Sequence, residues 1–117
     1  YLLNCNVYTI ERHQLLYEKA KQTFEHNKIP ISCHLGDGSL GLLKHAPYDR
    51  IIITAATPSI PDELLNQLDI NGKLVAPIGD TQSQIMCLYE KVNNKLSIKK
   101  FGKFKFVPLI GEKGFSE

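Results

Sequence analysis

Leu35-Gly36-Asp37-Gly38-Ser39 is the stretch that decides the fold, because it separates two apolar runs at residues 31–35 and 50–54. Two glycines allow a tight turn and let a flat ligand lie against bare backbone. The carboxylate between them only accepts hydrogen bonds, so it suits an amine or hydroxyl donor on that ligand. In open α/β sheets, ligands lie beyond the carboxyl ends of the strands. Asp37 falls at that position if the two runs are parallel strands.

The composition is that of an ordinary globular domain. The chain has 117 residues, of which 43% are hydrophobic and 22% charged, which suits one domain or part of one. The net charge of +2, from 14 basic and 12 acidic residues, is too small to predict a nucleic-acid partner. No apolar run approaches the ~20 residues of a membrane span, and no signal peptide is recognisable, so we expect no membrane partner.

The cysteines and histidines indicate neither disulfides nor a metal site. The three cysteines form no C-x-x-C pair, and no histidine lies at ligand spacing from them. Small buried thiols in a reducing compartment are the simplest interpretation, which predicts a soluble, cytoplasmic protein without bound metal. The cysteines are Cys5, Cys33 and Cys87.

Strand-like runs alternate with helical patterns over the first two thirds of the chain. The runs cover residues 7–10, 31–35, 50–54 and 73–79. Alternating βα units predict an α/β fold with a parallel sheet and right-handed crossovers. The unbroken isoleucines at 51–53 predict a strand that is buried on both faces.

Two helices are predicted between these strands. The first should fade near Asn27, and its apolar face consists of Leu16, Tyr17, Ala20 and Phe24. The second starts at Pro61, where the missing N–H costs nothing, and ends at Asn71-Gly72. Its apolar face consists of Leu64, Leu65 and Leu68.

The pattern changes after residue 80 to that of antiparallel strands. Residues 85–92 and 95–99 flank Asn93-Asn94, which is typical of a hairpin turn. Residues 104–109 are predicted to form a final strand. The lysines that become frequent here are typical of solvated strand faces and protected sheet edges.

Glu11 is a second candidate for ligand binding. It ends the first predicted strand, 26 residues before Asp37. In nucleotide-binding α/β folds, an acid at such a strand end accepts hydrogen bonds from ribose hydroxyls. Taken alone, Glu11 fits a helix-start carboxylate better. Together with Gly36-Asp37-Gly38 at the next strand end, it favours a ligand site.

The loop that follows the third strand is a candidate substrate contact. Ala55, Ala56 and Thr57 are small and precede Pro58, so they leave room for a substrate beyond the strand end. Small residues are equally what a tight loop contains, and the pattern alone does not choose between these interpretations. No serine lies in a G-x-S-x-G context, so a hydrolase has no support.

Short motifs along nearly the whole chain resemble those of protein-L-isoaspartate O-methyltransferases, in the same order. They lie at residues 10–12, 35–38, 46–51, 55–61, 72–75, 77–79 and 106–109. The loop Ala55-Ala56-Thr57-Pro58-Ser59-Ile60-Pro61 and the late Val107-Pro108-Leu109 are the most specific. The resemblance is weakest between residues 80 and 103.

The resemblance implies a Rossmann-like S-adenosylmethionine-dependent methyltransferase fold, with a parallel sheet and antiparallel C-terminal strands. It implies a protein-repair enzyme that methylates the free carboxyl of L-isoaspartyl residues in damaged proteins. Glu11 would hold the ribose hydroxyls of S-adenosyl-L-methionine, and Gly36, Asp37 and Gly38 would lie along its adenine. The substrate would contact Ala55, Ala56, Thr57 and Pro58, and Val107 would hold its main chain.

The family's first strand and its glycine-rich turn have no counterpart here, and Tyr1-Leu2-Leu3 resembles the tail of an earlier element. We therefore expect residues 1–117 to be the C-terminal part of a single, N-terminally truncated methyltransferase domain. Catalytic residues are expected upstream of Tyr1, so this chain alone should be inactive. An incomplete sheet also predicts self-association through an exposed sheet edge.

Two alternatives remain open at this point. A strand-end acid for ribose also suits another Rossmann-like nucleotide-binding enzyme, such as an NAD-dependent oxidoreductase. A non-catalytic remnant that kept the fold and lost its ligand is the other alternative.

Overall fold

The computed structural model describes residues 4–116, so the prediction about Tyr1-Leu2-Leu3 lies outside the described part. Contacts along the chain group into two compact units, one up to Gly38 and the other from Ser39 onward. The prediction that the chain is part of one domain stays a prediction. Within residues 4–116, no helix is long and apolar enough to cross a membrane.

The first unit is a βαβ motif. Strand β1 (Val7–Glu11), helix α1 (Gln14–His26) and strand β2 (Ile31–Leu35) follow one another, and β1 pairs with β2 in parallel. The predicted helix end is confirmed, since the backbone and side-chain N–H groups of Asn27 both donate to the Thr23 carbonyl. Tyr17, Ala20 and Phe24 are half-buried as predicted, but Leu16 is 53% exposed and lies outside this apolar face.

The second unit is a four-stranded mixed sheet with one helix. Two 3-10 turns, Gly38–Leu40 and Leu43–His45, lead to its regular elements. These are β3 (Tyr48–Ile52), α2 (Asp62–Gln67), β4 (Leu68–Gly79), β5 (Gln84–Val92) and β6 (Lys95–Phe104). The strand order is β3-β4-β5-β6. Strands β3 and β4 are parallel, whereas β5 and β6 add antiparallel pairs, which confirms the predicted mixture.

The core of this unit lies where α2 and the segment before it pack on β4. Its fully apolar cluster consists of Ile53, Ile60, Leu64, Leu68, Leu74 and Ala76. Burying such side chains stabilises the fold by roughly 1.5–3 kcal/mol for each large one. The predicted hairpin is confirmed, because Asn93 and Asn94 have φ of 49° and 63°, the left-handed conformation that two-residue hairpin turns require.

Two expectations about the end of the second helix are wrong. Helix α2 ends at Gln67, so Leu68 is not on its apolar face but starts β4 and pairs with Tyr48. Gly72 therefore does not end a helix; it lies inside β4, where a Cβ atom would come within 2.7 Å of the Leu68 side chain. The Asp69 carbonyl oxygen would also lie 2.9 Å from that Cβ atom, so the packing of Leu68 and the local backbone together require a glycine.

The isoleucine strand and the last strand also differ from expectation. Ile53 is buried, but Ile52 is 72% exposed, so the two faces of this strand, on which successive side chains lie, are not both buried. Strand β3 pairs only with β4 within residues 4–116. Beyond β6, residues 105–109 form no strand and make one isolated bridge, between Pro108 and Ala56. Proline has no N–H to continue a ladder.

Candidate functional site

Two predicted ligand-binding residues lie at the same end of the β1–β2 pair. Glu11 is the last residue of β1 and stands opposite Leu35, the last residue of β2. The Gly36 N–H donates to the Glu11 carbonyl at 3.0 Å, so the turn begins directly beside Glu11. The predicted position of Glu11 at the end of β1 is confirmed, and Asp37 follows the carboxyl end of the parallel neighbour β2. That the run at 50–54 is parallel to β2 stays a prediction.

The Glu11 carboxylate is oriented by the start of helix α1. Its Oε1 atom accepts a hydrogen bond from the His13 backbone N–H at 3.0 Å, which uses one of the N–H groups that a helix start leaves without a partner. The side chain is half-buried. Within residues 4–116, Oε2 accepts no hydrogen bond, so it can accept one from a ligand hydroxyl.

The two glycines beside Asp37 border open space. A Cβ atom built on Gly36 or Gly38 would meet no atom within 4 Å, and neither residue has a left-handed φ. The chain itself therefore does not require glycine at these positions. Gly114 differs, because a Cβ atom there would lie 2.3 Å from the Leu109 carbonyl oxygen. Bare backbone next to open space suits the approach of a flat ligand ring.

The loop at residues 55–58 is held between two other segments of the second unit. The Ala56 N–H donates to the Val107 carbonyl at 2.7 Å, and its carbonyl accepts from the Leu109 N–H at 2.6 Å. On the other side, the Thr57 N–H donates to Pro77 at 3.1 Å, and its carbonyl accepts from Gly79 at 3.0 Å. The loop thus continues the sheet as short parallel bridges.

These hydrogen bonds divide the loop into buried and accessible residues. Ala56 and Thr57 are 0% exposed, and their backbone groups are already paired. Ala55 is half-buried and Pro58 is exposed, so these two can present side chains to a substrate. Val107 can do the same, since its side chain is 72% exposed. The substrate-binding roles of all five residues stay predictions.

Sequence reasoning missed two buried glutamines that organise the second unit. Gln67 is 5% exposed; it accepts from the Leu42 N–H at 2.9 Å and donates to the Leu40 carbonyl at 3.1 Å. Gln84 is 1% exposed and bridges Asp80 and Phe106. A glutamine next to a turn is usually exposed. For Gln84, only its position at the start of the apolar strand β5 could have indicated that it is buried.

The β4–β5 turn beside this loop carries one perturbed carboxylate. Asp80 Oδ1 accepts hydrogen bonds from the backbone N–H groups of Gln82 at 2.8 Å and Ser83 at 3.0 Å. The bonds from Ser83 and Gln82 stabilise the ionised form and lower the pKa of Asp80. Within the part of the chain that the structure describes, no three His, Cys, Asp or Glu side chains could hold a metal ion.

Comparison with known proteins places the chain in a family. The model of the protein-L-isoaspartate(D-aspartate) O-methyltransferase family matches residues 3–114, almost the whole sequence. The chain belongs to this family. The predicted resemblance is therefore confirmed, and the ordered motifs that carried it lie within the matched range.

Individual protein-L-isoaspartate O-methyltransferases support the assignment. The proteins of this name from Cytophaga hutchinsonii and Chlorobium limicola are each 42% identical over 97% of this chain. The protein from Methanococcus maripaludis is 44% identical over 93%. These matches cover 52%, 52% and 51% of the relatives. The chain thus spans about half the length of the curated relatives it matches.

Solved structures of the family have the same fold. One protein-L-isoaspartate O-methyltransferase superposes with a TM-score of 0.85 at 26% identity, over 93% of this chain and 35% of that one. A putative family member from Plasmodium falciparum, solved in complex with S-adenosyl-L-homocysteine, superposes with a TM-score of 0.77 at 21% identity. It covers 90% of this chain and 52% of that one. The predicted Rossmann-like methyltransferase fold is confirmed.

Proposed function

We propose that the protein containing this chain is a protein-repair methyltransferase. It moves a methyl group from S-adenosyl-L-methionine to the free carboxyl of L-isoaspartyl residues in damaged proteins. The observation that supports this most is the family match over residues 3–114. It is joined by the placement of Glu11 and Gly36-Asp37-Gly38 beyond two neighbouring parallel strands, where α/β folds bind nucleotides.

The residues at the ends of β1 and β2 fit the nucleoside part of S-adenosyl-L-methionine. Oε2 of Glu11 provides an acceptor for the ribose hydroxyls. The open space beside Gly36 and Gly38 leaves room for the adenine ring along the backbone. Asp37 adds a carboxylate at the same turn. These groups bind and orient the nucleoside; they take no part in bond making.

The reaction requires positioning more than acid–base chemistry. When bound, the cofactor supplies an electrophilic methyl group, which the substrate carboxylate accepts. A carboxylate is already ionised at neutral pH, so the protein needs no general base for this step. Ala55, Pro58 and Val107 border the substrate in this proposal, and their role is to align it and to exclude water.

The proposed partners are isoaspartyl-containing proteins and peptides, with no nucleic acid and no membrane. A second copy of the chain is a further partner, through the edge of β3, where Ile52 is 72% exposed. The opposite edge of the sheet, β6, is protected by Lys95, Lys99, Lys100 and Lys103. The free state of all three cysteines supports a reducing, cytoplasmic location.

Transfer of labelled methyl from S-adenosyl-L-methionine to an isoaspartyl peptide tests the proposal. We expect turnover by the protein as its gene encodes it, no turnover with the matched aspartyl peptide, and no turnover by residues 1–117 alone. Lack of transfer by the encoded protein would contradict the proposed function. Robust transfer by residues 1–117 would contradict only the inactivity of this chain.

Calorimetry separates the proposal from its two alternatives. The encoded protein should bind S-adenosyl-L-methionine and show no binding of NAD. Binding of NAD instead would favour an oxidoreductase, and binding of neither by a folded protein would favour a non-catalytic remnant. Family membership favours the methyltransferase over both.

A further inference from the structure

The Gln84 side chain bonds the segment that follows β6 at Phe106, 22 residues further along the chain. Gln84 is the first residue of β5, and its side chain is buried, with 1% exposure. Its Nε2 group donates to the Asp80 carbonyl at 2.7 Å, and its Oε1 atom accepts from the Phe106 N–H at 2.7 Å. One amide therefore links the β4–β5 turn to the segment that follows β6.

That segment has few other attachments. Pairing of β6 with β5 ends at Phe104, opposite Gln84, and residues 105–109 are not part of a strand. Further along the segment, the Val107 carbonyl accepts a hydrogen bond from the Ala56 N–H, and the Leu109 N–H donates to the Ala56 carbonyl. Val107 thus lies between the Gln84 bond and the Ala56 bonds, and its own side chain is 72% exposed.

The turn that holds Gln84 is itself closely packed. A Cβ atom on Gly79 would lie 2.3 Å from the Ser83 carbonyl oxygen, so the chain turns back on itself there. Asp80 Oδ1 accepts the N–H groups of Gln82 and Ser83. These contacts hold the turn in one conformation and thereby fix the position of the Gln84 side chain. Its Oε1 atom in turn fixes the position of the Phe106 N–H.

We propose that Gln84 is a positioning residue for the substrate, because its amide fixes the Phe106 N–H and thereby the direction of the exposed Val107 side chain. This inference rests on the proposed methyl transfer and on the predicted contact of Val107 with the substrate. Gln84 touches neither cofactor nor substrate. Its expected effect on the reaction is on peptide binding and not on cofactor binding.

Three substitutions distinguish the two ends of the amide. Gln84→Met keeps the length of the side chain and removes both hydrogen bonds. Gln84→Glu keeps an acceptor for Phe106 and loses the donor to Asp80, whose carbonyl then faces a carboxylate oxygen. Gln82→Met is the matched control, because Gln82 is exposed in the same turn and uses only its backbone N–H.

Steady-state kinetics of the encoded protein test the inference, with isoaspartyl peptide and S-adenosyl-L-methionine varied separately. For Gln84→Met we expect KM for the peptide to rise about tenfold, as the loss of one or two hydrogen bonds implies. KM for the cofactor should change little, whereas the melting temperature of the cofactor-bound protein should fall, because two backbone groups lose their hydrogen-bond partner. Gln84→Glu should also raise KM for the peptide, because its carboxylate faces the Asp80 carbonyl, and Gln82→Met should leave it unchanged.

The outcomes separate this inference from the proposed function. No methyl transfer by the unsubstituted protein would overturn both. Normal transfer, with an unchanged peptide KM in folded Gln84→Met, would overturn only the role of Gln84. A fall in activity that matches the loss of folded protein, with both KM values unchanged, would make Gln84 purely structural and would also overturn it.

Discussion

Single residues at the ends of β1 and β2 carry the proposed recognition of the cofactor. Glu11 uses one carboxylate oxygen to bind the His13 N–H and leaves the other for a ligand. Gly36 and Gly38 are not required by their own backbone conformation or by neighbouring atoms. Glycines that the fold does not require, close to a carboxylate oxygen that can still accept a hydrogen bond, indicate a binding role. Substitutions of the glycines and of Glu11 test this role separately from folding.

Glu11→Gln in the encoded protein should weaken the binding of S-adenosyl-L-methionine by roughly 1–3 kcal/mol. The glutamine oxygen can still accept from His13, so the start of α1 is preserved, but the second acceptor becomes a donor. Isothermal calorimetry measures the change, with Glu25→Gln on the exposed face of α1 as the control. An unchanged dissociation constant would remove Glu11 from the site.

Gly36→Ala should separate stability from binding. No atom opposes the added methyl group, so the free energy of unfolding should stay unchanged or rise by about 0.4–1 kcal/mol through the unfolded state. Cofactor affinity should fall because the methyl group occupies the space beside the turn. Gly114→Ala is the contrasting variant. Its added Cβ atom would collide with the Leu109 carbonyl, so this substitution should lower the free energy of unfolding. Urea unfolding and calorimetry report the two effects, and undiminished affinity would contradict the proposed adenine contact.

At the scale of elements, the second unit depends on side chains that pair with backbone outside regular structure. Gln67 ends α2 and binds the backbone at Leu40 and Leu42. Gln84 begins β5 and binds the backbone at Asp80 and Phe106. Lys91, on β5, donates to the carbonyls of Leu65 and Leu68, where α2 changes into β4. The glutamine bonds satisfy backbone groups near the ends of helices and strands, whereas the Leu65 carbonyl accepts the Leu68 N–H in addition to Lys91.

The β4–β5 turn should lose stability in acid. Hydrogen bonds from Ser83 and Gln82 lower the pKa of Asp80 in the folded state, below the ordinary value of about 3.9 that applies to the unfolded chain. The stabilisation by its charge is therefore complete above that value and is lost as pH falls through the lowered pKa. Asp80→Ala should destabilise the protein at pH 7, and its difference from the unsubstituted protein should shrink below about pH 4.

Urea unfolding between pH 7 and pH 3 measures this difference. Thr81→Ala, an exposed and non-titrating substitution in the same turn, serves as the control and should show no such trend. A difference between Asp80→Ala and the unsubstituted protein that stays constant down to pH 3 would contradict the role assigned to the carboxylate.

At the scale of the whole molecule, the two edges of the four-stranded sheet differ in how they are protected. Strand β6 presents four lysines among exposed apolar side chains, and the lysines discourage the pairing of another strand. Strand β3 is short and carries Ile52, 72% exposed, and within the described residues it pairs on one side only. Since the chain spans about half of its relatives, residues 1–117 studied alone should expose this edge to other copies.

Ile52→Lys should reduce self-association of residues 1–117. The change places a charge on the unprotected edge, whereas Val92→Lys adds the same charge at an exposed position, 49% accessible, on β5. Sedimentation velocity at several concentrations should show a smaller associated fraction for Ile52→Lys only. An equal reduction by both variants would indicate that net charge, not the β3 edge, controls association.

Local patterns were sufficient for much of the fold. The βα alternation, the end of α1 at Asn27 and the Asn93-Asn94 hairpin follow from periodicity and turn chemistry, which act over a few residues. The α2–β4 boundary did not follow, because the Leu68 side chain packs over Gly72 and pairs its backbone with Tyr48. The pairing with Tyr48 joins residues 20 positions apart, and no short window contains it.

The sequence by itself determined the family, the parallel βα units and the positions of Glu11 and Gly36-Asp37-Gly38. These follow from motif order and from the rule that the carboxyl ends of parallel strands meet at one edge. Only the tertiary structure decided which residues of the loop at 55–58 are accessible, that Ile52 is exposed, and that Gln84 holds Phe106. The physical reason is that burial and long-range hydrogen bonds depend on which segments meet in space, and neither side-chain type nor spacing along the chain specifies that.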